Sequence, residues 1–407
     1  MNKIKIVLFY FVVLLPTIFL VVVISNIAFN VYKINSGIDY GRIQSEVKDF
    51  LSSERGMASL KEDNGDLILR YEFTDPRRQY DFFERDIGES PSGDERVICV
   101  YGSSPVASKL PLFGGKHKNF PELLQIKLNE GESEDIFKVY NLGITSADSY
   151  GINEIAEGSL DRMQPDLAIY CYDGGMDYES AFYAAGIKNE FYPLKIASIR
   201  KISARLPLKG FGWWRTIFLY MEWFNRTYLQ PYLINFLQGI GVLRLDISGL
   251  EDVNSLVEDD MEKNVKDLAR MTRKRGVPLI FVTCPTNLEA QPFGLYDVTQ
   301  ELYEKGMSQD DHNKRFKYLM MARDTEVFTG DLSAKSSTYE IFRGLDEEGY
   351  RDVYVVDLPG ELLDGGYSLG YEYFYDYGHM RPAMHELIAE RLNDFIKEKN
   401  ILSKGAR

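Results

Sequence analysis

Apolar and polar positions along the chain fall into two alternating patterns from residue 96 onward. Short apolar runs, typical of buried strands, alternate with segments in which apolar residues recur every three or four positions, as on one face of a helix. Strands that alternate with helices form a parallel sheet covered on both faces. The pattern therefore predicts a three-layer α/β/α domain over residues 94–400. The predicted strands cover residues 96–101, 137–142, 166–172, 277–284 and 353–357, and the predicted helices cover residues 120–128, 147–163, 252–275 and 382–399.

The segment before this domain, residues 28–93, has a weaker pattern. Its residues are polar and mixed, apart from an alternating run at 67–73 that follows a Gly-Asp pair and predicts one strand. For the rest of the segment we expect a stem with short helices that leads into the domain.

Residues 6–24 form a run of 19 residues without a charge. At about 1.5 Å per residue, a helix of this length just spans a hydrocarbon core of about 30 Å. Lys3 and Lys5 precede the run, so the positive-inside rule keeps residues 1–5 in the cytoplasm and exports the remainder. The sequence predicts a single-pass transmembrane anchor over residues 6–27, with the folded domain in the periplasm or at the cell surface.

Two other interpretations of this apolar run remain open. A cleaved signal peptide has a shorter apolar core, and Asn26 stands three positions before the candidate cleavage site, where a small residue is wanted. The other alternative is a buried helix of the folded domain. We expect the uncleaved anchor because of the length of the run.

The composition narrows the classes of partner. The chain has 407 residues with 47 Lys and Arg against 61 Asp and Glu, so its net charge is −14. This acidic balance argues against nucleic acid as the main partner, because duplex binding needs dense positive charge. Each of the cysteines, Cys99, Cys171 and Cys284, lies in an apolar, strand-like run. We expect them to be buried as small hydrophobic residues.

Small and polar residues follow the predicted strands where each strand ends. In parallel α/β sheets, binding and catalytic sites gather at these carboxyl ends. The first strand ends in Gly102-Ser103-Ser104, a turn that suits a nucleophile and an oxyanion-binding backbone. Near the C-terminus, Asp376 precedes His379 by three residues. Its carboxylate can accept the imidazole Nδ1–H, which leaves Nε2 free to take a proton from a serine.

Two further glycine motifs complete a set. Gly143 ends the second strand within Asn-Leu-Gly, and residues 174–177 read Gly-Gly-Met-Asp after the third strand. The chain thus carries four motifs in order: the Gly-Ser-Ser turn, Asn-Leu-Gly, Gly-Gly-Met-Asp and Asp-x-x-His. In these motifs and their order, the predicted domain resembles the GDSL/SGNH hydrolase superfamily, apart from a long insert. The resemblance implies a flavodoxin-like parallel sheet in which Ser104 is the nucleophile, His379 the base and Asp376 its partner.

The same resemblance implies an oxyanion hole made by the backbone N–H groups of Ser104 and Gly143 and by an asparagine side chain. Met176 replaces that asparagine, and a thioether cannot donate a hydrogen bond. Three explanations remain open. A backbone N–H of Gly174 or Gly175 takes the place of the amide, two donors suffice, or catalysis has been lost. Because the Ser, His and Asp are all present, we expect an active enzyme.

The activity that the resemblance implies is acyl transfer through an acyl-enzyme, without a cofactor. Water as acceptor makes an esterase and a sugar hydroxyl makes an O-acyltransferase, and both remain open. Some members are membrane-anchored, extracytoplasmic proteins that acylate surface polymers beside an integral membrane acyltransferase, and the predicted anchor is similar to theirs. The implied partners are a cell-surface glycan or other acylated polymer, the lipid bilayer through residues 6–27, and such an acyltransferase. The alternative is a catalytically impaired scaffold or glycan-binding protein of the same fold.

Other polar residues are expected to have ordinary roles. Ser103 is the second choice of nucleophile, and we expect it to shape the turn. His385 on the last helix is expected to be a packing or surface residue. Asp310-Asp311-His312 predicts a solvated helix start, because no cluster of further ligands accompanies it. The sequence therefore predicts no metal site.

The composition of residues 188–244 departs from that of the rest of the chain. They contain nine Lys or Arg against two Glu, twelve aromatic residues and all three tryptophans: Trp213, Trp214 and Trp223. The segment thus carries +7 and the other 350 residues carry −21. Basic residues among Trp, Tyr and Phe suit the lipid headgroup region. We expect a helical insert, within residues 188–250, that contacts the membrane or a membrane partner. A lid packed on the domain and a glycan-stacking surface are the alternatives.

Overall fold

The structure is a computed structural model, and the element labels used below follow chain order. It describes residues 15–74, 82–107, 117–131, 136–185, 221, 224, 229–244, 249–292, 297–326, 335–347 and 349–402. The strands are β1 (Gly56–Asp63), β2 (Asp66–Phe73), β3 (Phe82–Glu89), β4 (Arg96–Gly102), β5 (Phe137–Asn141), β6 (Leu167–Tyr172), β7 (Leu279–Thr283) and β8 (Val353–Val356). The helices are α1 (Leu15–Asn35), α2 (Tyr40–Leu51), α3 (Ser104–Ala107), α4 (Phe120–Asn129), α5 (Ser149–Met163), α6 (Gly175–Ala184), α7 (Gln230–Gly239), α8 (Leu250–Lys274), α9 (Asp297–Met307), α10 (His312–Asp324), α11 (Ser336–Glu347), α12 (Leu358–Asp364) and α13 (Pro382–Glu398).

A parallel sheet of five strands forms the centre of the described structure, in the order β5-β4-β6-β7-β8. β4 pairs with β5 on one side and with β6 on the other, and every neighbouring pair is parallel. The five predicted strands and the four predicted helices lie where the sequence pattern puts them, apart from small differences at their ends. The α/β class with a parallel sheet is therefore confirmed.

The two faces of this sheet pack into separate cores, because successive side chains of a strand point to opposite faces. Val97, Cys99 and Tyr101 of β4 share one core with residues of α5 and α8. Ile98 and Val100 share the other core with residues of α4 and α13. Helices thus cover both faces of the sheet. All three cysteines are buried in these cores, as predicted.

The segment before the domain contains more β-structure than the sequence indicates. After α2, strands β1, β2 and β3 form an antiparallel sheet, of which the alternating pattern predicts β2 alone. On β2, Leu67, Leu69 and Tyr71 are buried and the residues between them are half-buried. β1 lies at the sheet edge with most side chains partly or fully exposed. The short helix α2 agrees with the expected stem, whereas strands β1 and β3 were not expected, because an exposed edge strand needs no apolar alternation.

A buried arginine fastens this segment to the main domain. Arg55 lies between α2 and β1 and is 1% exposed. Its Nη2 donates to Asp260 Oδ2 on α8 at 2.6 Å, and its Nη1 lies 3.6 Å from Asp148 Oδ2 at the start of α5. The guanidinium also lies 4.7 Å from the centre of the Tyr150 ring. Burial opposes the charge of Arg55, but Asp148, Asp260 and the nearby Asp177 together outweigh that effect and raise its pKa.

The predicted anchor begins outside the described residues, and its second half lies in α1. Within residues 15–402, as far as they are described, no single helix has both the length and the apolar character needed to cross a bilayer. Leu20–Asn35 and Tyr40–Leu51 meet that test together, but they are bent by 95° with respect to each other.

The aromatic insert is described only in part. Trp213, Trp214 and Trp223 lie outside the described residues. Helix α7 lies near the end of the predicted insert, and the loop that follows it contacts α1. Asn35 Nδ2 donates to Val242 O and Asn35 Oδ1 accepts from Arg244 N, both at 2.7 Å.

We predict that replacing Arg55 by methionine lowers the free energy of unfolding by about 3–5 kcal/mol, because buried carboxylates then lose their cation. Urea denaturation at neutral pH measures the change. The matched control is Arg42→Met on the exposed side of α2, which should change stability by less than about 0.5 kcal/mol. A loss in Arg55→Met no larger than that of the control would contradict this role.

Candidate active site

The turn after β4 presents two serines at the carboxyl edge of the sheet. A side chain at Gly102 would collide with the carbonyl oxygen of Cys171 on the neighbouring strand β6, so only glycine fits there. The Ser103 carbonyl accepts the N–H groups of Val106 at 3.1 Å and Ala107 at 3.0 Å. These bonds start the single-turn helix α3, whose first residue is Ser104.

The two serines differ in access and in role. Ser103 is fully buried, and its Oγ has no hydrogen-bond partner in the described part of the chain. Its carbonyl closes the turn, in line with the turn-shaping role expected for it. Ser104 is 5% exposed and stands at the N-terminus of α3, where backbone N–H groups are not used by the helix. Of the two hydroxyls, Ser104 is the better placed to act as a nucleophile.

Asp376 and His379 are in direct contact, as the sequence motif predicts. Asp376 Oδ2 lies 2.6 Å from His379 Nδ1. Asp376 Oδ1 accepts the backbone N–H groups of His379 at 2.8 Å and Gly378 at 3.1 Å. Burial by itself would raise the pKa of Asp376, but the charge of His379 and these hydrogen bonds lower it. The carboxylate is therefore ionised and fixes the imidazole with Nε2 free of this bond.

A loop after β7 holds the Asp376–His379 segment in place. Asn287 is fully buried, its Nδ2 donates to Asp376 O at 2.8 Å, and its N–H donates to Tyr377 O at 2.7 Å. Buried Arg323 in turn donates to Asn287 O at 3.2 Å. Sequence reasoning missed both supporting residues. Asn287 could have been selected because it follows the end of a predicted strand. Arg323 lies on α10, where no sequence feature points to the site.

The predicted oxyanion donors are not all available. The Gly143 N–H donates to Asn141 Oδ1 and the Gly175 N–H to Asp173 Oδ1, each at 3.0 Å. These two N–H groups are therefore occupied by side-chain oxygens in this conformation. The N–H groups of Ser104 and Gly174 have no hydrogen-bond partner among the described residues. Those two remain as candidate donors.

The Gly-Gly-Met-Asp stretch forms the start of α6. Gly174 has φ of 78°, and a Cβ there would lie 2.6 Å from Thr338 Cγ2, so the position requires glycine. Met176 is buried, with 5% of its surface exposed, and belongs to the core of the sheet. The methionine therefore packs as an apolar core residue.

Asp177, the last residue of that stretch, is part of the buried network around Arg55. It accepts Ser149 Oγ at 2.6 Å and the Tyr172 hydroxyl at 2.5 Å. Burial and the neighbouring Asp148 raise its pKa to about 7, against the opposing effect of these donors and Arg55. Asp177 therefore stabilises the buried structure beneath the site.

Asp173 is a second carboxylate that senses the charge of His379, and sequence reasoning did not select it. It directly follows β6, is fully buried, and has no hydrogen-bond partner on Oδ2 within the described structure. Burial raises its pKa to about 6, while the Gly175 N–H and the charge of His379 act in the opposite direction. The sequence could have identified Asp173, because it is the first polar residue after the third predicted strand.

His385 and His312 have structural positions. His385 is buried on α13, its ring centre lies 6.3 Å from that of Phe120, and burial lowers its pKa to about 4. His312 is the first residue of α10, which Asp311 caps. Over the described ranges, no cluster of three or more His, Cys, Asp or Glu side chains could hold a metal ion.

Comparison with known proteins gives structural similarity only. No protein-family model matches the chain, and no curated protein sequence matches it. Among solved structures, a catalytic mutant of an acetylxylan esterase from Geobacillus stearothermophilus is 13% identical, with a TM-score of 0.37 over 75% of this chain and 95% of that one. A lipase/acylhydrolase from Enterococcus faecalis is 11% identical, with a TM-score of 0.34 over 75% and 96%. A putative GDSL-like lipase from Parabacteroides merdae is 12% identical, with a TM-score of 0.35 over 76% and 97%. Similarity at this level leaves the chemistry of the site to be argued from its own residues.

We predict that Asp173 makes the protein less stable as the pH rises. Its pKa is higher in the folded protein, at about 6, than its ordinary value of 3.8, so folding favours the neutral carboxyl group. Its contribution is fully present below about pH 4 and is lost as the pH rises through 6. Wild type should therefore lose up to about 3 kcal/mol of unfolding free energy relative to Asp173→Asn as the pH rises from 4 to 8.

Urea denaturation of both proteins between pH 4 and pH 8 measures this shift. Asp177 is present in both proteins, so its own titration cancels in the difference. Parallel stability profiles over this range would contradict the prediction.

Proposed function

We propose that the protein is a serine esterase or O-acyltransferase that acts outside the cytoplasm on acyl groups, in particular acetyl groups, of cell-surface polysaccharide. Its catalytic residues are Ser104, His379 and Asp376. The observation that carries the proposal is the 2.6 Å contact between Asp376 and His379, held by two backbone N–H groups on the second carboxylate oxygen. The Ser104 turn lies at the carboxyl end of the same sheet, where sites in such folds gather.

The first half of the reaction forms an acyl-enzyme. Asp376 accepts the Nδ1–H of His379, so Nε2 takes the proton of Ser104 Oγ as that oxygen attacks the ester carbonyl carbon. The tetrahedral intermediate collapses when the bond from carbon to the leaving oxygen breaks, and His379 gives its proton to that oxygen, which leaves as the alcohol. Ionised Asp376 stabilises the transient imidazolium.

The second half of the reaction transfers the acyl group to an acceptor. The hydroxyl of water or of a sugar gives its proton to His379 Nε2 and attacks the acyl carbon. The bond to Ser104 Oγ then breaks, and the serine regains the proton. Water as acceptor releases a free acid, and a sugar hydroxyl yields a new ester.

The N–H groups of Ser104 and Gly174 are the donors proposed for the oxyanion. The third donor, an asparagine amide, is missing because residue 176 is a methionine, which is buried in the core. Removal of one donor typically costs about 10²–10³-fold in kcat. We therefore expect slow turnover compared with serine hydrolases that use three donors.

A second candidate function is a catalytically impaired scaffold that binds a glycan or a membrane acyltransferase. Two observations favour it: Met176 stands where an amide would be needed, and the Gly143 N–H is occupied by Asn141. The intact contact between Asp376 and His379 favours the enzyme.

The proposed location is a single-pass membrane anchor over residues 6–27, with the folded domain in the periplasm or at the cell surface. In support, four apolar side chains of α1 are each more than half exposed: Leu20, Val21, Val22 and Ile24. Tyr232 and Phe236 of α7 are also exposed, at 69% and 55%. Because Asn35 joins α1 to the loop behind α7, the insert is expected to meet the membrane or a membrane partner beside the anchor.

We predict that the full-length protein hydrolyses an activated acetyl ester and that Ser104→Ala lowers kcat by about 10³-fold or more. The matched control is Ser103→Ala in the same turn, which should keep most of the activity because Ser103 Oγ is fully buried. A fluorophosphonate probe should label wild type at Ser104. Addition of a saccharide acceptor distinguishes a transferase from an esterase by the acetylated sugar formed.

Equal, slow turnover by wild type and Ser104→Ala, together with no probe labelling, would exclude the enzyme and favour the scaffold. Loss of activity in Ser103→Ala with an active Ser104→Ala would instead reverse the assignment of the nucleophile.

Tryptophan fluorescence tests whether the insert contacts the bilayer. Trp213, Trp214 and Trp223 are the only tryptophans of the chain, so the signal comes from the insert alone. In vesicles that contain brominated phosphatidylcholine, we expect the reconstituted full-length protein to lose more than half of its fluorescence relative to unbrominated vesicles. Unchanged fluorescence combined with strong quenching by aqueous acrylamide would contradict membrane contact. Protection from both quenchers would support the packed-lid alternative.

A further inference from the structure

Arg85 of β3 crosses from the N-terminal sheet to the loops that carry the site. Its Nη2 donates to the main-chain oxygen of Asn141 and, at 3.0 Å, to Asn141 Oδ1. Its Nη1 approaches Ala107 O at 3.5 Å. Asn141 ends β5, and Ala107 is the last residue of the helix that Ser104 begins. One guanidinium therefore contacts both the nucleophile turn and the neighbouring strand end.

Asn141 connects the same two segments through its side chain. Its Nδ2 donates to Val106 O at 2.8 Å, and its Oδ1 accepts the Gly143 N–H. A Cβ at Gly143 would lie 2.6 Å from Ala107 N, so the two segments are packed closely. Because α3 is a single turn, its carbonyls have no partners within the helix. Asn141 takes the carbonyl of Val106, and Arg85 approaches that of Ala107.

The charge of Arg85 is partly removed from water, which costs free energy. Burial lowers its pKa to about 10, and the charge of Glu122 on α4 opposes that shift. The side chain is still protonated at neutral pH. Arg85 is thus a half-buried cation whose hydrogen bonds go to the loops around Ser104, and simple stability is weak justification for such an arrangement.

We propose that Arg85 is a positioning residue for the acyl-transfer reaction. It holds Asn141 and the end of α3 so that the Ser104 hydroxyl and N–H keep the geometry needed for attack. The inference rests on the proposed function and deepens it, because it makes the N-terminal sheet a working part of the active site. A misplacement of about 1 Å in such a turn can cost 10²-fold in rate.

The test compares Arg85→Ala, Arg85→Lys and Arg70→Ala in the full-length protein. Arg70 lies on β2 of the same sheet with its side chain one third exposed, so its variant controls for loss of an arginine there. We expect Arg85→Ala to lower kcat for the acetyl ester by about 10–10²-fold with KM changed less than threefold. Probe labelling of Ser104 should slow in parallel. Millimolar guanidinium should restore at least part of the activity of Arg85→Ala and leave wild type unchanged.

Arg85→Lys covers the case in which Arg85→Ala does not fold. It keeps the charge and a single-headed donor, so we expect a folded protein with kcat between those of wild type and Arg85→Ala. Wild-type kcat and labelling in a folded Arg85→Ala or Arg85→Lys would overturn the inference and leave the proposed function intact. A kcat loss that guanidinium does not restore would also overturn it. Absence of turnover and labelling in wild type would instead reject the proposed function.

Discussion

The architecture depends on how buried charge is compensated at the carboxyl edge of the sheet. Asp148, Asp177 and Asp260 come from three different helical segments and share the environment of one guanidinium, that of Arg55. Carboxylates buried without a cation would cost several kcal/mol each. The residue that supplies the cation lies in the segment before the domain. The helices around the sheet and the N-terminal segment are therefore energetically coupled.

The same segment contributes a second cation, the half-buried Arg85, on the side of the sheet where Ser104 lies. Arg55 serves the network beneath α6, and Arg85 contacts the turn that presents the candidate nucleophile. The N-terminal segment thus contacts both the turn of Ser104 and the charged network beneath the site, which its polar sequence did not suggest. On the opposite side, Asn287 and Arg323 support the loop of Asp376 and His379. The catalytic residues are few, and their supports come from distant parts of the chain.

Residue motifs and hydrogen-bond geometry answer different questions at this site. The spacing of Asp376 and His379 was sufficient to predict their contact, because three residues in one loop bring the two side chains together. The role of Gly143 could not be read in the same way. Its N–H is taken by Asn141, two residues away, and only the conformation of that side chain decides whether it is available. The sequence likewise showed Met176 without showing that it packs in the core.

The sequence by itself determined the parallel sheet, its strands and the edge at which small and polar residues gather. These follow from local periodicity and from the rule that parallel strands end together. The tertiary structure decided the edge strand β1, the positions of the cations Arg55 and Arg85, and the occupied N–H groups of Gly143 and Gly175. Each of them depends on a partner distant in sequence or on a side-chain orientation. Neither a distant partner nor a side-chain orientation produces a periodic pattern in the sequence.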